Sequence, residues 1–291
     1  YIGEYENTGL LGGAASVLAN VTFWSDSRFR FFGFGNDTGE ASETNYTQRR
    51  LAAFLRVGYR PHPNWEIAWQ GRSEDVDIRP GGVAELPFVA ELFPTTRGLE
   101  GSRVHGQGLS VAFDDRDSQR ITRRGNLALA RVEVVDEALG ATASFVKYGF
   151  EVRKFLPFRE RFVLAMRGAL DYLSGAPRTP FYERNSLGGV NTLRGFGDGR
   201  FVDAHRFVGT AELRSQALAL PIMDVVAEFE VAPFVDAGQV FSSKTTFPLE
   251  DLHYVGGVGF RGVVRPQVVG YVDIGVGSDG AAVFTGLDYP F

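Results

Sequence analysis

The chain has 291 residues, 44% of them hydrophobic, which excludes a disordered polypeptide and suffices for one large all-β domain or two ordinary ones. A net charge of -5, from 30 basic and 35 acidic residues, argues against a nucleic-acid-binding surface, and Cys 0 excludes disulfides and thiolate metal sites. No apolar run approaches the roughly eighteen residues of a membrane-spanning helix, so a membrane crossing would require a closed barrel that leaves no sheet edge bare to lipid.

No signal-peptide pattern is read at the start of the chain. The region 10–22 is a weak strand candidate, because Gly12, Gly13, Ala14 and Ala15 alternate poorly. A strand is predicted near 28–36, and a better one at 49–60. There Arg50, Ala52, Phe54, Arg56, Gly58 and Arg60 share a mostly wet face, while Leu51, Ala53, Leu55, Val57 and Tyr59 share an apolar one. Further strands are predicted at 64–74, 104–114, 124–135, 143–156, 161–173, 205–218, 225–238, 254–265, 268–277 and 282–291. Those twelve strands, with 10–22 as a thirteenth candidate, give a count of about twelve to fourteen, of which twelve, or fourteen with one missed, fits the even numbers of bacterial single-chain barrels. Pro61 to Asn64 and Pro157 to Glu160 read as short turns at one end, and 36–48, 75–103 and 174–204 as long loops at the other. With no linker or break in composition, 1–291 reads as a single all-β domain; the alternation fits a transmembrane antiparallel β-barrel or a soluble sandwich and does not choose between them.

Catalytic patterns are sparse, so the expectation is a protein that is not an enzyme and carries no cofactor. His62, His105, His205 and His253 form no metal-binding pair and read as loop or girdle residues. Asp114, Asp115 and Asp117 are interrupted by Arg116 and lack the glycine and glutamate of a calcium loop, so they read as a solvated hairpin. Arg28, Arg30, Arg49 and Arg50 suit contact with lipid headgroups, although basic residues at a barrel rim are ordinary.

The stretch from Pro180 to Phe196 is the most informative in the chain. It contains Pro180-Phe181-Tyr182-Glu183, Gly188-Gly189 and Leu193-Arg194-Gly195-Phe196. These motifs resemble the inward-folded loop of the BamA/TamA outer-membrane-assembly superfamily, the surface-antigen type of β-barrel. Phe113 to Asp117 with Arg124-Gly125, and Phe234-Val235-Asp236-Ala237-Gly238, are similar to other segments of that barrel. The end of the chain, with Gly286, Tyr289 and Phe291, resembles the family's C-terminal targeting signal, although Phe284 stands where that signal usually has a polar residue.

The resemblance implies a sixteen-strand pattern, of which nine strands follow the equivalent of Gly106, with N-terminal strands absent from this chain or the barrel smaller. It also implies that the loop enters the lumen and that Glu212 and Asp236 are the partners of Arg194, against the alternative of an exposed turn arginine. The aromatics Tyr289 and Phe291 are expected on the lipid face with Leu287, Thr285 and Val283. In the family a weak seam joins the first and last strands and opens towards lipid, and accessory periplasmic domains deliver substrate; neither a confident first strand nor such domains are read in this sequence. The implied function is insertion or translocation of outer-membrane protein, polypeptide or lipid in the bacterial outer membrane, with lipid, other subunits and client polypeptides as partners. The alternative is a passive channel or structural barrel.

Overall fold

The computed structural model describes residues 2–222, 225–242, 251–264 and 268–291. Long runs of alternating residues build long strands. The first four are β1 (Ile2–Leu10), β2 (Ala15–Phe31), β3 (Thr44–His62) and β4 (Trp65–Pro80), and β5 (Ser102–Asp114), β6 (Gly125–Val135), β7 (Phe145–Phe158) and β8 (Phe162–Ser174) follow. Two three-residue strands, β9 (Asn185–Leu187) and β10 (Phe201–Asp203), pair with each other inside a long connection. The chain then returns to the sheet with β11 (His205–Ile222), β12 (Val225–Phe241), β13 (His253–Val264), β14 (Val268–Gly277) and β15 (Gly280–Leu287). All thirteen long strands form one antiparallel sheet in chain order, β1 at one end of that order and β15 at the other, with β8 bonded directly to β11.

The sheet curves around the 175–204 connection. Contacts across the interior establish the curvature: the Asn36 side chain, just beyond β2, donates to the Asp251 carbonyl and accepts from Val240 N at 3.1 Å. The two sheet faces differ in the way the sequence alternation requires. Leu51, Leu55, Val57, Tyr59, Ile67, Trp69, Leu109, Val111 and Phe150 are exposed on the outside. Facing inwards, charges pair between strands, as in Arg56 with Glu66 and Arg167 with Glu151 (2.9 Å). An apolar outer face over a charged interior is unfavourable in water and suits a lipid surround.

Several expectations need correction. The sheet has thirteen strands among the described residues, within the expected range of about twelve to fourteen, although the count is odd where an even one was favoured. The candidate 10–22 and the predicted strand 28–36 merge into the single β2, which leaves the sheet near Gly33 and Gly35, both at positive φ (98° and 111°). β1 was not predicted, since Glu4 and Glu6 beside Tyr5 give it no apolar stripe; both glutamates and the tyrosine are exposed. β3 starts at Thr44 and β4 runs to Pro80, because Tyr46 pairs with Pro80 and carries the ladder into both expected loops. Four strands precede and nine strands, β5–β8 and β11–β15, include or follow the Gly106 region, as expected. Arg265, the end of the predicted strand 254–265, lies outside the described residues.

The last predicted strand, 282–291, instead occupies Gly280–Leu287. Asp288 has φ +66°, which breaks the alternation and turns Tyr289 and Phe291 inwards. Phe291 packs on Phe155, Val163 and Ala165, and Tyr289 against Ile121, Val263 and Val269. Neither aromatic belongs to a lipid-facing girdle. His205 and His253 are likewise interior rather than loop or girdle residues: His205 stacks on Tyr172 at 3.8 Å and His253 on Phe201 at 3.9 Å, each between ring centroids.

Candidate functional site

Glycine makes the turn that points the loop at the wall. Gly188 and Gly189 have φ of 112° and 89°, where a side chain is strained, and a Cβ on Gly188 would run into the Gly197 carbonyl. Thr192 Oγ1 closes this turn, accepting from Gly188 N at 2.9 Å and donating to Gly188 O at 2.7 Å. Gly189 N donates to Phe196 O at 2.9 Å, so the segment 189–196 projects as a compact finger. Its apolar residues Leu193 and Phe196 pack with Leu187 and Phe201 against Val208, Phe234 and Val255.

Arg194 stands at the tip of this finger and is 1% exposed. Its Nε and Nη2 both donate to Asp236 at 2.9 Å, and its Nη1 donates to Glu212 at 2.7 Å and Asp273 at 3.0 Å. The guanidinium also lies 3.4 Å from the Phe234 ring centroid. Two more arginines complete the cluster. Arg214 Nε donates to Glu212 at 2.9 Å, while Arg261 pairs with Asp273 and reaches Glu212 at 3.1 Å. Three cations therefore meet three carboxylates, which makes this burial of six charges tolerable. Burial alone would lower the Arg194 pKa, but Asp236 and Glu212 outweigh it and hold the pKa above its ordinary value.

The loop has a second, oppositely charged anchor. Glu183, also buried, accepts from Lys147 Nζ at 2.6 Å and from Arg72 Nη2 at 2.8 Å, on strands β7 and β4. Arg72 in turn contacts Glu74 and Glu133. Burial would raise the Glu183 pKa, yet Lys147 and Arg72 hold it well below the carboxylate range. A cation thus ties the loop to β11–β14 and an anion ties it to β4 and β7.

The structure joins Arg194 to the expected Glu212 and Asp236 and places Gly188, Gly189, Leu193, Gly195 and Phe196 in the same finger. Asp273, Arg261, Arg214 and the anchors of Glu183 were not foreseen as part of the site. Asp273 was detectable, being the only charged residue of the otherwise apolar and glycine-rich β14. Gly286 stays in β15, while Tyr289 donates to Glu230 at 2.8 Å and Arg214 Nη2 donates to the Phe291 main-chain oxygen at 3.2 Å. The C-terminal residues thus join the same interior network instead of standing apart on the outer surface. Asp114 binds Arg116 at 2.8 Å, and Asp115 and Asp117 accept from backbone N–H groups within their hairpin.

No curated protein matches the chain. Among solved structures, the chain is similar to the crystal structure of BamA from Haemophilus ducreyi lacking POTRA domains 1-3, at 14% identity and a TM-score of 0.64. That likeness covers 99% of this chain but only 60% of the other, and at such low identity it shows the fold alone. The family pattern of the Omp85 superfamily domain matches residues 12–260, a span that holds the loop finger, both its anchors and ten of the thirteen sheet strands in whole or part. The chain belongs to the Omp85 superfamily.

Proposed function

We propose that this chain is the barrel of a bacterial outer-membrane assembly or translocation factor, assisting the passage or insertion of protein, polypeptide or lipid. The observation that carries the reading is the buried Arg194 finger, tied to the wall by three carboxylates, within a sheet whose outer face is apolar. A loop held across the interior obstructs a steady aqueous path, and Glu183 braces it from the facing wall. A passive channel would gain nothing from burying six compensated charges to seat a loop in its lumen. Its partners on this reading are outer-membrane lipid and client polypeptides or companion subunits, and its role is not catalytic.

The test is client insertion. Reconstituted in liposomes, alone or with candidate companion subunits, the protein should speed folding of an unfolded client barrel, measured by the appearance of its heat-modifiable form. Arg194→Ala should slow that reaction. A client folding rate unaffected by the protein under every partner condition would reject the assembly reading.

A further inference from the structure

We propose that the short-turn end of strands β6–β8 carries a binding surface for anionic phospholipid headgroups of the adjacent leaflet. Two connections meet there, 115–124 between β5 and β6 and 159–161 between β7 and β8, and Arg123 Nη2 joins them by donating to Glu160 O at 2.6 Å. Together with Lys154 on β7, opposite Asn126, they bring six cations to one rim: Arg120, Arg123, Arg124, Lys154, Arg159 and Arg161.

What separates these cations from the interior arginines is the lack of carboxylate partners. Arg56, Arg72, Arg131, Arg153, Arg167, Arg194 and Arg206 all sit in ion pairs. Among the described residues, none of the six rim cations does. The local carboxylates Asp115 and Asp117 are turned back onto Asn126 and onto the backbone of Arg123 and Arg124. Glu160, between Arg159 and Arg161, is the one further carboxylate of these turns, so the rim remains a net positive surface.

Its level relative to lipid is set by the neighbouring aromatics. Exposed Leu156 and Phe158 end β7, and Phe158 stacks on Phe162 at 5.4 Å between centroids, directly flanking the 159–161 turn. Transmembrane barrels carry girdles of aromatic residues at both membrane interfaces. With Phe158 at such an interface, Arg159 and Arg161 fall at the depth of the phosphates, where a basic side chain is attracted to an anionic leaflet. Charge and depth together favour a lipid headgroup over an acidic polypeptide, which would need no aromatic belt beside it.

This inference rests on the membrane reading above, and the experiment separates the two. The protein is folded into vesicles of phosphatidylcholine containing trace spin-labelled phosphatidylglycerol or spin-labelled phosphatidylcholine, and the motionally restricted fraction of each label is measured by electron paramagnetic resonance. Failure to fold into any vesicle would overturn the membrane reading itself. Given folding, a several-fold preference for phosphatidylglycerol is expected, weakening with added salt. The preference should vanish when Arg120, Arg124, Arg159 and Arg161 are all replaced by Gln and persist when they are replaced by Lys. If the Gln variant does not fold, Arg159→Gln and Arg124→Gln singly should each reduce the preference. Equal restriction of the two lipids by the native protein would overturn the proposal. So would a preference that survives the Gln substitutions.

Discussion

At the scale of single residues, Arg194 and Glu183 are complementary tethers of opposite charge. Replacing Arg194 by Ala leaves Glu212, Asp236 and Asp273 facing only Arg214 and Arg261, an uncompensated buried negative charge. A loss of about 3 kcal/mol in the stability of the docked loop is expected, detected as faster protease cleavage within 175–204. Cleavage at the native rate would restore the exposed-turn alternative for Arg194. Double-mutant cycles with Glu212→Gln and Asp236→Asn should show strong coupling, since the groups share one network. Glu183 supplies a pH test. Its pKa in the folded protein lies below the ordinary 4.5, so the folded state binds this proton less readily than the unfolded state does. Its contribution is present above that ordinary value and is lost as pH falls through the depressed one. Acid should therefore loosen the loop in the native protein, and Glu183→Gln should be looser at neutral pH with a shallower dependence below 4.5. Parallel acid profiles for the two proteins would show that Glu183 does not tether the loop.

At the scale of elements, the docking of the finger depends on what strand β14 lacks. A Cβ at Gly275 would collide with the Arg194 carbonyl, and one at Gly277 would lie 2.8 Å from the Phe196 ring. Nothing within 4 Å opposes one at Gly270. Gly275→Ala should therefore displace the loop at a cost of about 1–3 kcal/mol, whereas Gly270→Ala on the same strand should leave loop protection unchanged. Equal effects of the two would mean that the glycines serve the sheet and not the loop. The C-terminal segment behaves similarly. Because Phe291 fills a pocket between β7 and β8, Phe291→Ala should destabilise the fold by about 3–5 kcal/mol and reduce membrane insertion, seen as loss of the heat-modifiable band. A fully stable variant would contradict the inward packing. Twelve of the thirteen long strands were legible because lipid on one side and charge on the other enforce a period of two. β1 was not, since Glu4 and Glu6 leave no apolar stripe to detect. The direction of Tyr289 and Phe291 was hidden because parity counting assumes an unbroken strand, and the positive φ of Asp288 breaks it. Arg194, Glu212 and Asp236 were legible only through the family resemblance. Asp273 was marked locally only as the sole charge of β14, and its meeting with Arg194 depends on how the loop docks on the curved sheet, which no local pattern encodes.

At the scale of the whole molecule, a curved sheet of thirteen strands turns an apolar face outwards and keeps its charges paired within, and the 175–204 connection bridges the interior from β4 and β7 to β11–β14. The purified protein should accordingly be β-rich and soluble only with detergent or lipid; a monodisperse soluble monomer without detergent would contradict the lipid-facing assignment. The sharpest test of the loop as an obstruction is single-molecule conductance in planar bilayers, comparing the native protein with Arg194→Ala. Small, intermittent currents are expected from the native protein, with larger and longer openings once Arg194 no longer holds the finger. A large, steady native conductance, set by interior charges such as Arg56, Arg153, Arg167 and Glu230 and indifferent to Arg194→Ala, would contradict it and identify a passive channel.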